Sequence, residues 1–414
     1  MEKLKRRTFI KLGASGIGSL YFPLCALAQE DESTLPKHDF IVAIRLDGGW
    51  DTTLGTDPWL SETPPKPEDL FIEYSQSDLI VNSNNYRFGP AFTPLKKYLD
   101  RLTVINGIFM SPTDNGHQAL STYGLSGNGQ GELPAVPVAV YQQHEGPFGL
   151  VSGSYPYVGK TPVPKISPYN LRNSTALEFK NHVISAYGSM SSDSPLGRAF
   201  TLIKKESKRL DKAKSILEEL KESGIEVNDY HAVASAFASG TSYQAYIDIN
   251  PQVQTLDSHT NHEGSHILAQ QDCFSQVNNL LDALGEVQIG NSGQSVLDRT
   301  TLMITSEFTR TPALNNAAGK DHNPFTNSYL VMGPNIKGGL KIGGSHIIPK
   351  EKSFLSESYH AAKPIDLDTL EVLNEKRGTI LKPEIVCKTL WTAMGLRQMP
   401  QQWKRHPIID HLIT

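Results

Sequence analysis

A chain of 414 residues that is 38% hydrophobic and 20% charged, with no low-complexity tract, excludes a disordered, fibrous or disulfide-scaffold protein and can bury a large core. The net charge of −4 excludes nucleic acid and anionic membrane surfaces as main partners. With three cysteines and no CxxC, a cysteine-based metal site is excluded as well.

The first residues read as an address. Lys5-Arg6-Arg7-Thr8-Phe9-Ile10-Lys11 is a twin-arginine export motif, and the mild apolar stretch Leu12 to Leu27 runs into the small-x-small site Ala26-Leu27-Ala28. That stretch is too short and too rich in Gly and Ser for a transmembrane anchor. Bulky Leu24 before Cys25 argues against a lipoprotein. The expectation is export by the twin-arginine translocase, cleavage after Ala28, and a periplasmic or secreted protein with no stable membrane anchor. Cleavage removes five basic residues and one acid, which leaves 34 basic against 42 acidic side chains and a net charge of −8. Cys273 and Cys387 remain, and one disulfide or two free buried thiols are both open.

After a polar lead-in over 29–37, Asp39 to Leu46 is a run of branched apolar residues that predicts a buried strand. It ends at Asp47-Gly48-Gly49-Trp50-Asp51. Leu102 to Ile108 predicts a second strand, followed by the loop Ser111-Pro112-Thr113-Asp114-Asn115-Gly116-His117 and a helix near Gln118–Tyr123. Residues 125–195 are rich in Gly, Pro, Ser and Tyr and read as long loops. Leu196 to Ser223 and Glu263 to Leu284 have amphipathic helical spacing, the second with Leu268, Val277, Leu280, Leu281 and Leu284 as its apolar stripe. Thr300 to Thr305 and Asn327 to Met332 predict further strands, and Pro383 to Met394 a last helix. Strands alternating with helices point to an α/β fold with a mostly parallel sheet flanked by helices. The expected organisation is a signal over 1–28 and one domain over 29–414, with an irregular loop and helical insertion at about 125–240.

Chemistry concentrates at the strand ends, where open α/β sheets hold ligands. Three of the thirteen histidines fall within Asp257-Ser258-His259-Thr260-Asn261-His262-Glu263-Gly264-Ser265-His266. Neutral imidazole and carboxylate suit borderline divalent metals. An Asp-x-His pair on an extended segment points both side chains to one face. A second group is Ser306-Glu307-Phe308-Thr309-Arg310-Thr311, then Gly319-Lys320-Asp321-His322-Asn323. Asp47 and Asp51 either join such a site or shape the Gly-Gly turn. His262 and His266 either bind metal or start the following helix. Arg310 and Lys320 could clamp an anionic group.

Over roughly residues 38–350 the chain resembles the domain of unknown function 1501 family of twin-arginine-exported bacterial proteins. That family is distantly similar to the alkaline phosphatase and sulfatase superfamily. The resemblance rests on Leu46-Asp47-Gly48-Gly49, Asp257-Ser258-His259, Thr305 to Thr311, and Gly319-Lys320-Asp321-His322. The family usually reads Ser-Glu-Phe-Gly-Arg-Thr and Gly-Thr-Asp-His-Gly in the last two places. This chain departs at Thr309, Lys320 and Asn323. It also lacks the Cys/Ser-x-Pro-x-Arg of sulfatases and the Asp-Ser-Ala of alkaline phosphatases.

The resemblance implies an alkaline-phosphatase-like sandwich holding two divalent ions, as zinc, manganese or calcium, on residues from Asp47, Asp51, Asp257, His259, Glu307, Asp321 and His322. It implies Thr113 as nucleophile, in a loop similar to the Ser-x-x-Gly-His loop of cofactor-independent phosphoglycerate mutases. The expected activity is metal-dependent hydrolysis of phosphate or sulfate esters, on a small anionic ester or a glycan. The alternative is a non-catalytic periplasmic binding or envelope-assembly protein of the same fold.

Overall fold

A computed structural model of the protein describes residues 39–59, 68–110, 150–151, 165–173, 207–374, 377–396, 399 and 401–414. The export motif, the cleavage site, Thr113, His117 and the helix expected near 118–123 lie outside the described residues. The strands, in chain order, are β1 (Phe40–Leu46), β2 (Ile80–Val81), β3 (Arg87–Phe88), β4 (Thr103–Ile105), β5 (Leu150–Val151), β6 (Lys165–Ile166) and β7 (Gln244–Ile249). They continue with β8 (Thr300–Ser306), β9 (Thr309–Arg310), β10 (His322–Asn323), β11 (Tyr329–Met332), β12 (Lys341–Ile342), β13 (Ser345–Ile348) and β14 (Tyr359–Ala362).

Eight of these form one sheet in the order β12-β4-β11-β8-β1-β7-β5-β6. β1 pairs in parallel with β7 and β8, while β11 runs antiparallel to both β8 and β4. The sheet is thus mostly parallel, as the alternation of strands and helices predicted. β1 at its centre carries apolar side chains on both faces because both faces are covered. Phe40, Val42, Ile44 and Leu46 join one apolar layer, together with Val277, Leu280, Leu281 and Leu284 of the helix Ser265–Glu286. Ile41 and Ala43 join the other, with Leu390 and Trp391 of the helix Pro383–Ala393. The result is a helix-sheet-helix sandwich.

Three sequence expectations shift in detail. Leu268, expected on the apolar stripe of Ser265–Glu286, is 50% exposed; that end of the helix instead buries His266 and Gln270 against a polar group described below. The strand β7 and the helix Asp229–Ala238 were not anticipated. Gln244-Ala245-Tyr246-Ile247-Asp248-Ile249 has too few consecutive apolar residues to stand out, yet it pairs with β1 along six residues. Within the expected insertion, β5 and β6 extend the sheet edge, and Ser207–Glu222 and Asp229–Ala238 contribute to the core. Cys273 and Cys387 are both buried and are not joined in a disulfide. Among the described residues no helix is long and apolar enough to cross a membrane.

Parallel strands β1, β7 and β8 all end on one edge, and antiparallel β11 starts there. The turn Asp47-Gly48-Gly49, the segment after Ile249 and the segment Ser306-Glu307-Phe308 therefore meet. Gly48 and Gly49 have φ of +106° and +79°, a region open to glycine at little cost. A Cβ on Gly49 would also sit 2.1 Å from the Phe308 ring. Gly319 is needed for a different reason: a Cβ there would lie 2.0 Å from the His259 carbonyl. That close approach brings 318–322 alongside 257–260, with Thr260 bridging to Ala318 and the Lys320 N–H donating to the Ser258 carbonyl at 2.9 Å.

Candidate metal centre

The expected alternation along Asp257-Ser258-His259 is present. Asp257 and His259 share one face, with Asp257 Oδ1 3.4 Å from His259 Nε2. Ser258 points the other way, its hydroxyl 2.8 Å from the Nδ1 atoms of both His262 and His266. Two groups thus form back to back on one extended segment.

On the outer side, His259 Nε2 lies 2.9 Å from His322 Nε2. Asp257, His259 and His322 each offer one donor atom, and these atoms lie within 4.8 Å of one another. Behind them Asp321 Oδ1 is 2.6 Å from His259 Nδ1, and Asn315 Nδ2 donates to Asp321 Oδ2 at 3.1 Å. With Nδ1–H given to Asp321, a neutral His259 ring presents its Nε2 lone pair to the group. Phe308 packs on His322 with ring centroids 4.0 Å apart. Two imidazoles and one carboxylate, with the tautomer of one imidazole set by a carboxylate behind it, suit a borderline divalent ion. Asp321 is placed to orient His259.

Arg310 is fully buried. Its guanidinium donates to the carbonyls of Gly49 and Lys320 at 3.1 Å each, to the Gly48 carbonyl, and to Asp257 Oδ1 at 2.9 Å. It ties the Gly-Gly turn to the ion group instead of reaching outward. Although Asp257 is partly withdrawn from solvent, which alone would raise its carboxyl, Arg310 then His259 and His322 hold it below its ordinary value.

On the inner side, Asp51 is fully buried and Lys320 is 1% exposed. Lys320 Nζ donates to Asp51 Oδ2 at 2.6 Å and to the Phe71 carbonyl at 3.3 Å. Asp51 Oδ1 accepts from the Thr53 N–H at 2.9 Å and its hydroxyl at 2.7 Å, capping the turn Thr52–Leu54. The Asp51 N–H donates to His266 Nε2 at 3.0 Å and Gln270 Oε1 at 3.1 Å. Burial by itself would raise the Asp51 carboxyl; Lys320, His262 and His266 outweigh it and hold the group well below the usual carboxylate range. Asp51 and Lys320 therefore satisfy each other, and Lys320 presents no charge to a substrate.

Asp47 and Glu307 form a third group. Asp47 Oδ1 is 3.2 Å from Arg45, whose Nε donates to Asp248 Oδ1 at 2.7 Å. Tyr246 donates to the same Asp248 oxygen at 2.8 Å. Glu307 is pushed up to about 7, mainly by burial and next by Asp47, with Arg45, Arg310 and the Gly48 N–H opposing. The residues expected to share one site thus divide. Asp257, His259, His322 and Asp321 come together, Asp51 and Lys320 face inward, and Asp47 and Glu307 interact with each other and with Arg45. Ser258, Asn315 and Asp248 take part without having been singled out. Ser258 was readable as the inward-facing middle of the Asp-x-His pair; the other two carry no local signal.

Residues 247–354 match the family model described as Protein of unknown function (DUF1501). No curated protein matches the sequence. Among solved structures, the lipoteichoic acid synthase LtaP from Listeria monocytogenes is similar over 78% of this chain and 72% of that one, with 10% identity and a TM-score of 0.32. A 2-O GAG sulfatase is similar over 91% and 74%, with 9% identity and a TM-score of 0.37. A protein in the alkaline phosphatase superfamily from Vibrio parahaemolyticus is similar over 75% and 64%, with 9% identity and a TM-score of 0.29.

Proposed function

We propose that this chain, whose residues 247–354 match the DUF1501 family model, is an exported metal-dependent hydrolase acting on phosphate or sulfate esters. The observation that carries the reading is the convergence of Asp257 Oδ1, His259 Nε2 and His322 Nε2, backed by Asp321. Asp257, His259 and His322 would hold a divalent ion, which would supply Lewis acidity there. Asp321 keeps the proton of His259 on Nδ1, so that Nε2 stays a donor. Arg310 fixes Asp257 against the Gly48-Gly49 turn, and Phe308 holds the His322 ring. Glu307, poised near neutrality, can hold or release a proton at the same sheet edge. Thr113 is the nucleophile in this reading, a role proposed from its motif. The export reading belongs here too: passage through the twin-arginine translocase, cleavage after Ala28, a periplasmic or secreted destination, and no use for nucleic acid.

The inward burial of Arg310 and Lys320 favours a second reading. Neither side chain offers an open clamp for an anionic ester, as a metal-holding binding or envelope-assembly protein of this fold would not require.

The test is metal content together with turnover, in mature protein purified without chelator or histidine tag. Wild type is expected to retain zinc, manganese or calcium and to cleave aryl phosphate or aryl sulfate, both lost in Asp257→Ala/His322→Ala. Metal without turnover, across both ester classes, would favour the binding protein. Folded wild type unable to take up any of the three ions would overturn the metal-dependent reading.

A further inference from the structure

The resemblance leads to an expectation of two ions, but the buried group around Asp51 does not fit a second one. Asp51 has no contact with solvent, so its carboxylate needs a cation beside it to stay charged. One of its oxygens is consumed by Thr53. The other faces two nitrogens. Lys320 Nζ is 2.6 Å away. His262 Nε2 is 3.2 Å away, on a buried ring. The Phe71 carbonyl accepts from the same ammonium at 3.3 Å. The ammonium is held by a carboxylate oxygen and a backbone carbonyl, and an imidazole nitrogen approaches the same carboxylate oxygen; oxygen and imidazole donors also suit a divalent ion. The cation beside that carboxylate is the lysine ammonium.

We propose that the ammonium of Lys320 stands in for a second divalent ion, so that the protein carries one exchangeable metal and one built-in cation. This rests on the reading of Asp257, His259 and His322 as the exchangeable site. The two positive charges sit on opposite sides of the same pair of segments, 257–259 and 320–322, with Ser258 between them. Removing the lysine of an ordinary structural ion pair would create no metal site. Here removal of the ammonium leaves the buried Asp51 carboxylate with the His262 nitrogen beside it.

The experiment counts zinc retained by wild type, Lys320→Ala and Lys320→Ala/His262→Ala after equilibration with zinc chloride and removal of the excess. The expected result is one more zinc per chain in Lys320→Ala than in wild type, and loss of that extra ion in the double variant. Zinc is also expected to raise the melting temperature of Lys320→Ala more than that of wild type. If Lys320→Ala fails to fold without metal, refolding with zinc is the readout, and rescue that depends on His262 supports the proposal. Equal counts in wild type and Lys320→Ala, two ions in wild type, or no rescue would overturn it. Because the count is a difference, wild type with no zinc and Lys320→Ala with one would sink the reading of the exchangeable site while upholding Lys320 as a built-in cation.

Discussion

Asp321 Oδ1 lies 2.6 Å from His259 Nδ1, on the side of the ring away from Asp257 and His322. The carboxylate holds the imidazole in the tautomer that leaves Nε2 free to bind, a placement that separates its role from that of the three converging donors.

Asp321→Asn should therefore weaken zinc binding without abolishing it, by about 10–100-fold, the range for loss of a group supporting a metal-bound histidine. Competition against a fluorescent zinc chelator measures this. A loss as complete as that of Asp257→Ala would mean that Asp321 is itself a ligand.

Asp51→Asn leaves the Lys320 ammonium buried without its counter-charge. Breaking one side of such a pair costs about 3–5 kcal/mol, readable by urea denaturation. Asp51→Asn/Lys320→Met should be less destabilised than the single variant, since neither charge is then stranded. The acid side follows from the same pair. Asp51 is held well below its usual range in the folded state, so its contribution is complete above a pH of about 4 and is lost as the pH falls further. A stability profile of Asp51→Asn that parallels wild type between neutral and acid pH would refute this.

Glu307 has the opposite sign. Its folded-state value is raised from 4.5 to about 7 by burial first and Asp47 second, so the folded protein holds that proton more tightly than the unfolded chain does. Its contribution to stability is greatest below pH 4.5, falls as the pH rises to about 7, and levels above that. The loss is on the order of 3 kcal/mol at 1.36 kcal/mol per unit. Glu307→Gln should gain on wild type across that window, and Asp47→Asn should recover a smaller part. Wild type and Glu307→Gln with parallel pH profiles would show that Glu307 titrates normally.

Gly49→Ala should destabilise by more than about 2 kcal/mol, because it combines an unfavourable backbone region with a clash against Phe308. Gly49→Ala/Phe308→Leu relieves the clash and leaves the backbone cost, so it should recover part of the stability. Since Phe308 packs on His322, the single variant should also weaken zinc binding. A melting temperature unchanged from wild type would contradict the tight packing of the turn.

Much of the fold was legible because its signals are local. A buried parallel strand must be apolar on both faces, so Asp39 to Leu46 and Thr300 to Thr305 stood out as runs. Asp257 and His259 were likewise readable as partners, since two residues apart on an extended segment is a geometric relation within one stretch of chain. β7 was missed because Tyr246 and Asp248 interrupt its apolar pattern; they stay satisfied by bonding each other and Arg45.

The division of labour among the polar residues was not legible. Arg310 and Lys320 read as a clamp for an anion because both are basic and close to the ion group in sequence. Which way each faces depends on Gly319 packing against His259 and on the helix Ser265–Glu286 bringing His266 and Gln270 to Asp51. Spacing along a chain sets the relative direction of side chains within one segment, and that is how residue types and strand ends could be named in advance. Which segments become neighbours is set by packing across some two hundred residues of chain, and only there did one lysine become a buried counter-ion and one aspartate the support of a histidine.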